Sequence, residues 1–146
     1  MLNISKYCSI LDRCSSMYKN SAFKDISICS SHAPYFFFLI KNPGITQDEL
    51  SKRLVINKSN VTRSIQFLEE KGYVRRTNDP LDKRINHIYL TKEGEELVPV
   101  IRNKIYVFNK EVGEVLDEDE IIILNNLLEK VVKSAVNFVR KEDYIS

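Results

Sequence analysis

Turn-forming residues are scarce in this chain. Glycine and proline number four each among 146 residues, too few for a loop-rich fold or long disordered stretches. Long apolar runs are missing as well. The longest, Tyr35 to Ile40, falls far short of the roughly 20 residues a membrane-spanning helix takes, so no membrane partner is expected. The segment Met1-Leu2-Asn3-Ile4-Ser5-Lys6 lacks the apolar stretch of a signal peptide, and a cytoplasmic location is expected. Cysteine is sparse too. Cys8, Cys14 and Cys29 form an odd set without metal-ligand spacing, which is not a secreted disulfide framework. The two histidines, His32 and His87, are a poor basis for a metal site. The sequence holds no glycine-rich phosphate loop, no nucleophile elbow and no Cys/His cluster. An enzyme is therefore not expected, nor is a cofactor.

What remains is an ordinary globular composition, 43% hydrophobic and 29% charged, of a length that suggests one domain. Few turn formers and long periodic stretches point to a mainly helical fold. The net charge of +2 says less than its distribution. Between Leu50 and Leu68 lie Lys52, Arg53, Lys58 and Arg63 with no acid. Between Glu111 and Glu120 lie six acids and no base. Such asymmetry suits a one-sided surface that meets phosphate, although two solvated helix faces would look the same.

Periodicity divides the chain. Ile4, Tyr7/Cys8, Leu11, Cys14 and Tyr18 mark a first helix over about 4–19. A second starts near Ser30 or Ser31 as N-cap, tolerates Pro34 in its first turn, and ends at Asn42-Pro43-Gly44. Thr46 and Glu49 read as a capping box for a short helix, Gln47 to Leu54. Asn57 caps the next, whose inner face is Val61, Ile65 and Leu68 and whose end is Gly72. Tyr73-Val74-Arg75-Arg76 and Ile85 to Leu90 read as a hairpin around the turn cluster Asn78 to Asp82. Thr91 then caps a long helix to about Val112, in which Pro99 predicts a kink. Asp117 and Glu120 open a last helix with a capping box.

Two short helices joined by Val55, Ile56 and Asn57 form a helix-turn-helix. Its second helix divides its labour. Val61, Ile65 and Leu68 face inward, while Lys58, Ser59, Asn60, Thr62, Arg63 and Gln66 lie elsewhere on it. Residues there can read base edges in the major groove: Asn and Gln pair with adenine, Arg with guanine. Lys52 and Arg53 suit phosphate contacts, which position without specifying. At the hairpin tip, Lys83 and Arg84 can reach a neighbouring minor groove. Asp79 and Asp82 beside them oppose that role, unless Asp82 pairs with Arg76 or Arg84 and fixes the tip.

Three stretches resemble the MarR family of winged-helix regulators: Asn42 to Leu54, Asn57 to Arg63, and Leu68 to Arg76. The most specific match is Asp79-Pro80-Leu81-Asp82-Lys83-Arg84, followed by Leu90-Thr91-Lys92-Glu93-Gly94. It is similar to that family's wing signature, an Asp-x-x-Asp-Arg-Arg turn leading to Leu-Thr-x-x-Gly. The fold implied is mainly α with a small β-hairpin: one MarR-like domain over 1–146, a winged helix-turn-helix lobe at about 30–91, and dimerisation helices at about 1–20 and 92–142. The resemblance further implies a homodimer on double-stranded DNA with a near-palindromic operator, and a repressor released by a small molecule or by oxidation. The residues agree independently on a partner, because Ile121, Ile122, Ile123 and Leu124 cover every side of one helical turn.

Two departures stand out. Val55 occupies a turn position where the family often has Gly, and a β-branched residue resists positive φ. Lys83 replaces the first Arg of the wing pair and loses its bidentate geometry, which leaves Arg84 as the main groove contact. For the signal, Tyr7, His32 and Tyr35 are candidate pocket residues, although aromatics at helical spacing are more often core. Cys8, Cys14 and Cys29 are candidate redox groups, although buried apolar cysteine is the default. Cys8 and Cys14 point about 120° apart on one helix and cannot bridge within it. A winged helix used for protein contacts in a transcription assembly is the alternative reading. The basic recognition helix and wing tip argue against it.

Overall fold

The core belongs to the short elements in the middle of the chain, and the long helices at its ends bury little. The computed structural model describes residues 1–142. Its helices are α1 (Ile4–Ala22), α2 (Ala33–Leu39), α3 (Gln47–Leu54), α4 (Lys58–Glu70), α5 (Lys92–Gly113) and α6 (Glu118–Lys141). The strands are β1 (Ile45–Thr46), β2 (Val74–Asn78) and β3 (Asn86–Leu90). They form an antiparallel sheet in the order β1-β3-β2, with Ile45 opposite Ile88 and Val74 opposite Leu90. The mainly helical winged helix-turn-helix predicted above is the fold observed. Strand β1 is additional: two residues beside a proline-glycine turn carry no periodic signal.

The largest fully buried apolar side chains are Phe23, Tyr35, Phe36, Leu39, Leu50, Val61, Ile65, Leu68, Val74, Ile88 and Ile101. Phe36 and Leu39 of α2 share one core cluster with the inner face of α4, with Val74 and Ile88 of the sheet and with Ile101 of α5. Burying a side chain of this size contributes about 1.5–3 kcal/mol. Val61, Ile65 and Leu68 are the face that periodicity identified.

The second helix begins differently from expectation. A 3₁₀ turn (Ser30–His32) precedes α2, and its cap is Cys29, not Ser30 or Ser31. The Cys29 backbone N–H donates to His32 Nδ1 at 3.2 Å. The imidazole is buried, stacks on Phe67 of α4 at 4.6 Å, and is held below its ordinary pKa by burial. At α3 half of the expected capping box forms. Thr46 Oγ1 accepts the Glu49 N–H at 3.2 Å, while the Glu49 carboxylate turns toward Arg53, 3.8 Å away. At α6 both halves form: the Asp117 carboxylate accepts the Glu120 N–H at 2.9 Å and Glu120 accepts the Asp117 N–H at 3.0 Å.

Two glycines explain how the lobe closes. Gly72 ends α4 at φ +79°, the left-handed position that favours Gly. Gly94 has a different task. A Cβ there would lie 2.1 Å from the Tyr73 carbonyl oxygen, so the first turn of α5 meets the backbone after α4 at a distance only Gly allows. Thr91 seals the junction: its hydroxyl donates to the Gly72 carbonyl at 2.6 Å and accepts the Gly94 N–H at 3.1 Å.

Helix α5 continues through Pro99 as one element. Its inner side adds Val98 and Ile101 to the core, and Phe108 meets Tyr18 of α1 at 5.3 Å. Helices α1 and α6 contain no buried residue. Ile122, Ile123, Leu127 and Val132 of α6 are all more than half exposed, as are Tyr7 and Leu11 of α1. An apolar groove of 610 Å³ opens between α1, α5 and α6, lined by Leu11, Phe108, Ile121, Leu124 and Leu128 among others.

Candidate nucleic-acid interface

The turn between α3 and α4 fixes their mutual angle. Val55 occupies the left-handed region, φ 57° and ψ 44°, so the turn is made in the ordinary way with a β-branched residue carrying the strain. That conformation costs on the order of 1–2 kcal/mol for a residue with a Cβ. Ser51 holds it in place. Buried beneath the turn, its hydroxyl donates to the Ile56 carbonyl at 2.6 Å, and its own carbonyl accepts the Ile56 N–H at 3.1 Å. Asn57 then caps α4 by accepting the Asn60 N–H at 2.8 Å. Gln47 ties the helices together once more, donating to Thr62 Oγ1 at 2.7 Å.

Lys52, Arg53, Lys58, Ser59, Asn60, Thr62, Arg63, Gln66, Lys83 and Arg84 are all exposed. None of them belongs to the core, yet most are held by a neighbour. Asp48 lies between Lys58 at 2.6 Å and Lys52 at 3.0 Å. Those ammonium groups, Lys58 foremost, keep its carboxyl below the usual carboxylate range. Arg63 donates to Asn60 Oδ1, Gln66 to Glu70 Oε1 and Ser59 to Asn57 Oδ1. Thr62 donates to the Lys58 carbonyl at 2.9 Å, so its hydroxyl is engaged on both sides. Arg53 lies over the Phe38 ring, 4.9 Å from its centre. The polar face of α4 is thus pre-ordered, which lowers the entropy lost when a ligand immobilises it.

The wing resolves the ambiguity over Asp82. Arg76 pairs with Glu69 of α4 through two N–H bonds of 2.9 and 2.6 Å. Asp82 receives Arg84 instead, through Nε at 3.0 Å and Nη2 at 2.9 Å. The Arg84 guanidinium holds the Asp82 carboxyl below its ordinary range. The rest of Arg84 faces solvent, with 90% of its side chain exposed. A cleft of 400 Å³ lies between wing and α3, lined by Thr46, Gln47, Asp48, Arg84, Ile85 and Asn86. Through Asp48 that cleft adjoins Lys58. The recognition-helix start and the wing arginine therefore border one polar surface.

The candidate pocket residues do not converge in the single chain. Tyr7 is 59% exposed on α1, whereas His32 and Tyr35 are buried. Tyr35 borders a cleft of 440 Å³ with Pro34, Ile56, Asn60, Arg63 and Ser64. None of the three cysteines is buried: Cys8 and Cys14 are exposed on α1 and Cys29 is half-buried. The apolar-core default does not hold for them, because the α1 stripe that carries two of them is uncovered. Among the described residues no group of His, Cys, Asp and Glu has a metal-holding arrangement, and no helix is long and apolar enough to cross a membrane.

Charge segregation becomes spatial. Arg140 near the end of α6 donates to the Lys52 carbonyl of α3 at 3.3 Å. The acidic start of α6 lies 22 residues earlier, at Glu118, about 33 Å along the helix axis. Basic lobe and acidic turn thus occupy opposite ends of α6.

Sequence reasoning missed His87, which joins the wing to the loop before β1. The signal available was its place across the turn from Asp79.

Residues 30–85 match the model of the MarR family. The chain is 25% identical over 104 residues to the HTH-type transcriptional regulator YybA of Bacillus subtilis (strain 168), covering 71% of this chain and 69% of that protein. It is similar to a MarR protein from Peptoclostridium difficile DA00132, at TM-score 0.89 and 26% identity, over 96% of this chain and 92% of the other. A mutant MarR from E. coli complexed with operator DNA shares the fold at TM-score 0.78 and 24% identity, over 88% and 92% of the two chains. With the left-handed turn, the capped α4 and the glycine-closed hairpin junction, these likenesses make the chain similar to the MarR family, in sequence over residues 30–85 and in fold over nearly its whole length.

Proposed function

We propose that the protein is a homodimeric, sequence-specific DNA-binding transcriptional regulator. The observation that carries this reading is the polar surface shared by α4 and the wing. It sets Lys58, Asn60, Arg63 and Gln66 on the first half and middle of a capped helix, and the exposed guanidinium of Arg84 lines the same cleft as Asp48, the partner of Lys58. A helix of this kind reads the major groove from its N-terminal half. An arginine on a β-ribbon suits the adjacent minor groove. The operator complex of the E. coli relative supports the same use of the fold here. Lys52 and Lys58 contact phosphates, Arg63 and Gln66 read bases, and Arg84 enters the minor groove with Lys83 beside it.

The exposed apolar faces of α1 and α6 support the dimer, since a second copy would cover them and set two recognition helices about 34–36 Å apart. The operator is then nearly palindromic. We assign the protein to the cytoplasm and to repression. Its release from DNA follows either a small molecule in the cleft that Tyr35, Asn60 and Arg63 border, or oxidation of a cysteine among Cys8, Cys14 and Cys29. A bound anion in that cleft would draw Arg63 from base contact.

Selection from a random duplex pool tests the core of the proposal. The expected product is an enriched inverted repeat whose half-sites lie one helical turn apart. A pool that stays random after selection contradicts it.

A further inference from the structure

The wing carries one histidine and two carboxylates whose presence near phosphate is otherwise unexplained. Their contacts form a path. His87 Nδ1 lies 2.8 Å from the Gly44 carbonyl oxygen, and Nε2 lies 2.8 Å from Asp79 Oδ2. Asp79 Oδ1 accepts the backbone N–H groups of Leu81 at 2.8 Å and Asp82 at 3.1 Å. The Asp82 carboxylate accepts the backbone N–H of Arg84 at 3.0 Å and its guanidinium besides. The loop entering the helix-turn-helix is thereby connected to the arginine at the wing tip.

Both oxygens facing the His87 ring are acceptors. A neutral imidazole has one N–H and can serve only one of them, whereas the imidazolium serves both. Asp79, and after it the Gly44 carbonyl, raise the imidazole above its ordinary value. Among the described residues no other charged group is paired with the ring. Asp82 is occupied by Arg84 and, on α3, Asp48 by Lys52 and Lys58. On β2 the cross-strand neighbour is Thr77, and Arg75 lies over Tyr89, 4.2 Å from its ring centre. On β1 the neighbour is Thr46.

We infer that His87, as the imidazolium, is a positioning residue for the wing: it latches Asp79 to the loop at Gly44 and so orders Arg84, which makes the wing's grip on DNA proton-dependent. This rests on the DNA-binding reading above. Losing the proton forfeits one of the two bonds and leaves a nitrogen lone pair against an oxygen. The folded group has the raised pKa. The latch is therefore complete below the ordinary value near 6.5 and is lost as pH climbs through the raised value. Phosphate near the wing favours the cation, so DNA binding takes up a proton.

The test compares wild type with His87→Gln, and with Asp79→Asn, which reaches the latch from its other end. Dissociation constants for a selected duplex are measured at fixed salt from pH 6 to 9. In parallel, ring resonances of the two histidines are titrated by NMR in the free protein, with His87→Gln assigning them. Wild type should lose roughly threefold to tenfold more affinity across that range than either variant, the span given by a half- to one-unit linked shift. The His87 ring should titrate above 6.5, and Arg84→Ala should flatten the wild-type profile. Equal pH slopes in wild type and both variants, or a His87 ring titrating at or below 6.5, overturn the latch and leave the regulator reading standing. Absence of DNA binding at every pH overturns both.

Discussion

Single residues in this lobe sit where their neighbours force them to. Val55 is the clearest case, a β-branched side chain at φ 57° held by the Ser51 bonds beneath it. Val55→Gly should relieve the left-handed strain but add unfolded-state entropy. The net expectation is a gain of about 0.5–1 kcal/mol, read as a higher urea midpoint with unchanged slope. A loss of stability would mean that the valine's packing outweighs its backbone. Gly94 is the converse. Since the clash would be with backbone, Gly94→Ala must move α5 away from Tyr73, and it should cost about 3 kcal/mol, the upper part of the overpacking range. A thermal midpoint within 2 °C of wild type would contradict the close approach, as a change of 1 kcal/mol alone moves a domain of this size by roughly 2–4 °C or more.

At the scale of elements, the recognition helix separates its tasks by residue. On the proposed DNA-binding reading Lys58 is an ionic contact, so Lys58→Ala should weaken binding alike on all sequences and reduce the salt slope by about one. On the same reading Arg63, five residues further along α4, meets base edges, so Arg63→Ala should relax preference at one position of each half-site, by about 1–3 kcal/mol of discrimination. Competition between the selected duplex and its single-base variants measures both. If Arg63→Ala lowers affinity uniformly, Arg63 is a phosphate contact. How far this was legible from sequence varies with the element. The inner face of α4 and the caps at Thr46, Asn57, Thr91 and Asp117 were readable, because period and capping are local chemistry. Strand β1 was not, because two residues have no period and Ile45 pairs with Ile88, far along the chain. Cys29 as a cap was equally hidden, since it acts through the His32 ring. The wing carboxylates were visible as residues but not as a path, which needs the register of β2 on β3.

The whole molecule is a small core with two uncovered helices. Folding of the lobe uses residues from Phe23 to Ile101, so α6 is free to serve association. Leu124→Glu on the groove wall should then leave the lobe folded, with near-wild-type far-ultraviolet circular dichroism, while sedimentation equilibrium shifts from dimer to monomer. Dimeric Leu124→Glu would place the partner on another face. The opposition of charge along α6 follows the same division of labour: the basic end carries Lys52 and Arg140, the distant end the acids from Glu118 to Glu120.

The most direct measurement is a titration of the purified protein with duplex DNA from its own upstream region at several salt concentrations. A dimer gripping the duplex with two α4 helices and two wings should bind one dimer per site. The logarithm of its affinity should fall linearly with that of salt, with a slope of about −5 or steeper, the mark of six or more phosphates neutralised. Arg84→Ala should make that slope shallower. Binding that is absent, insensitive to salt, or unchanged by Arg84→Ala would contradict the assignment of the α4 and wing surface to DNA.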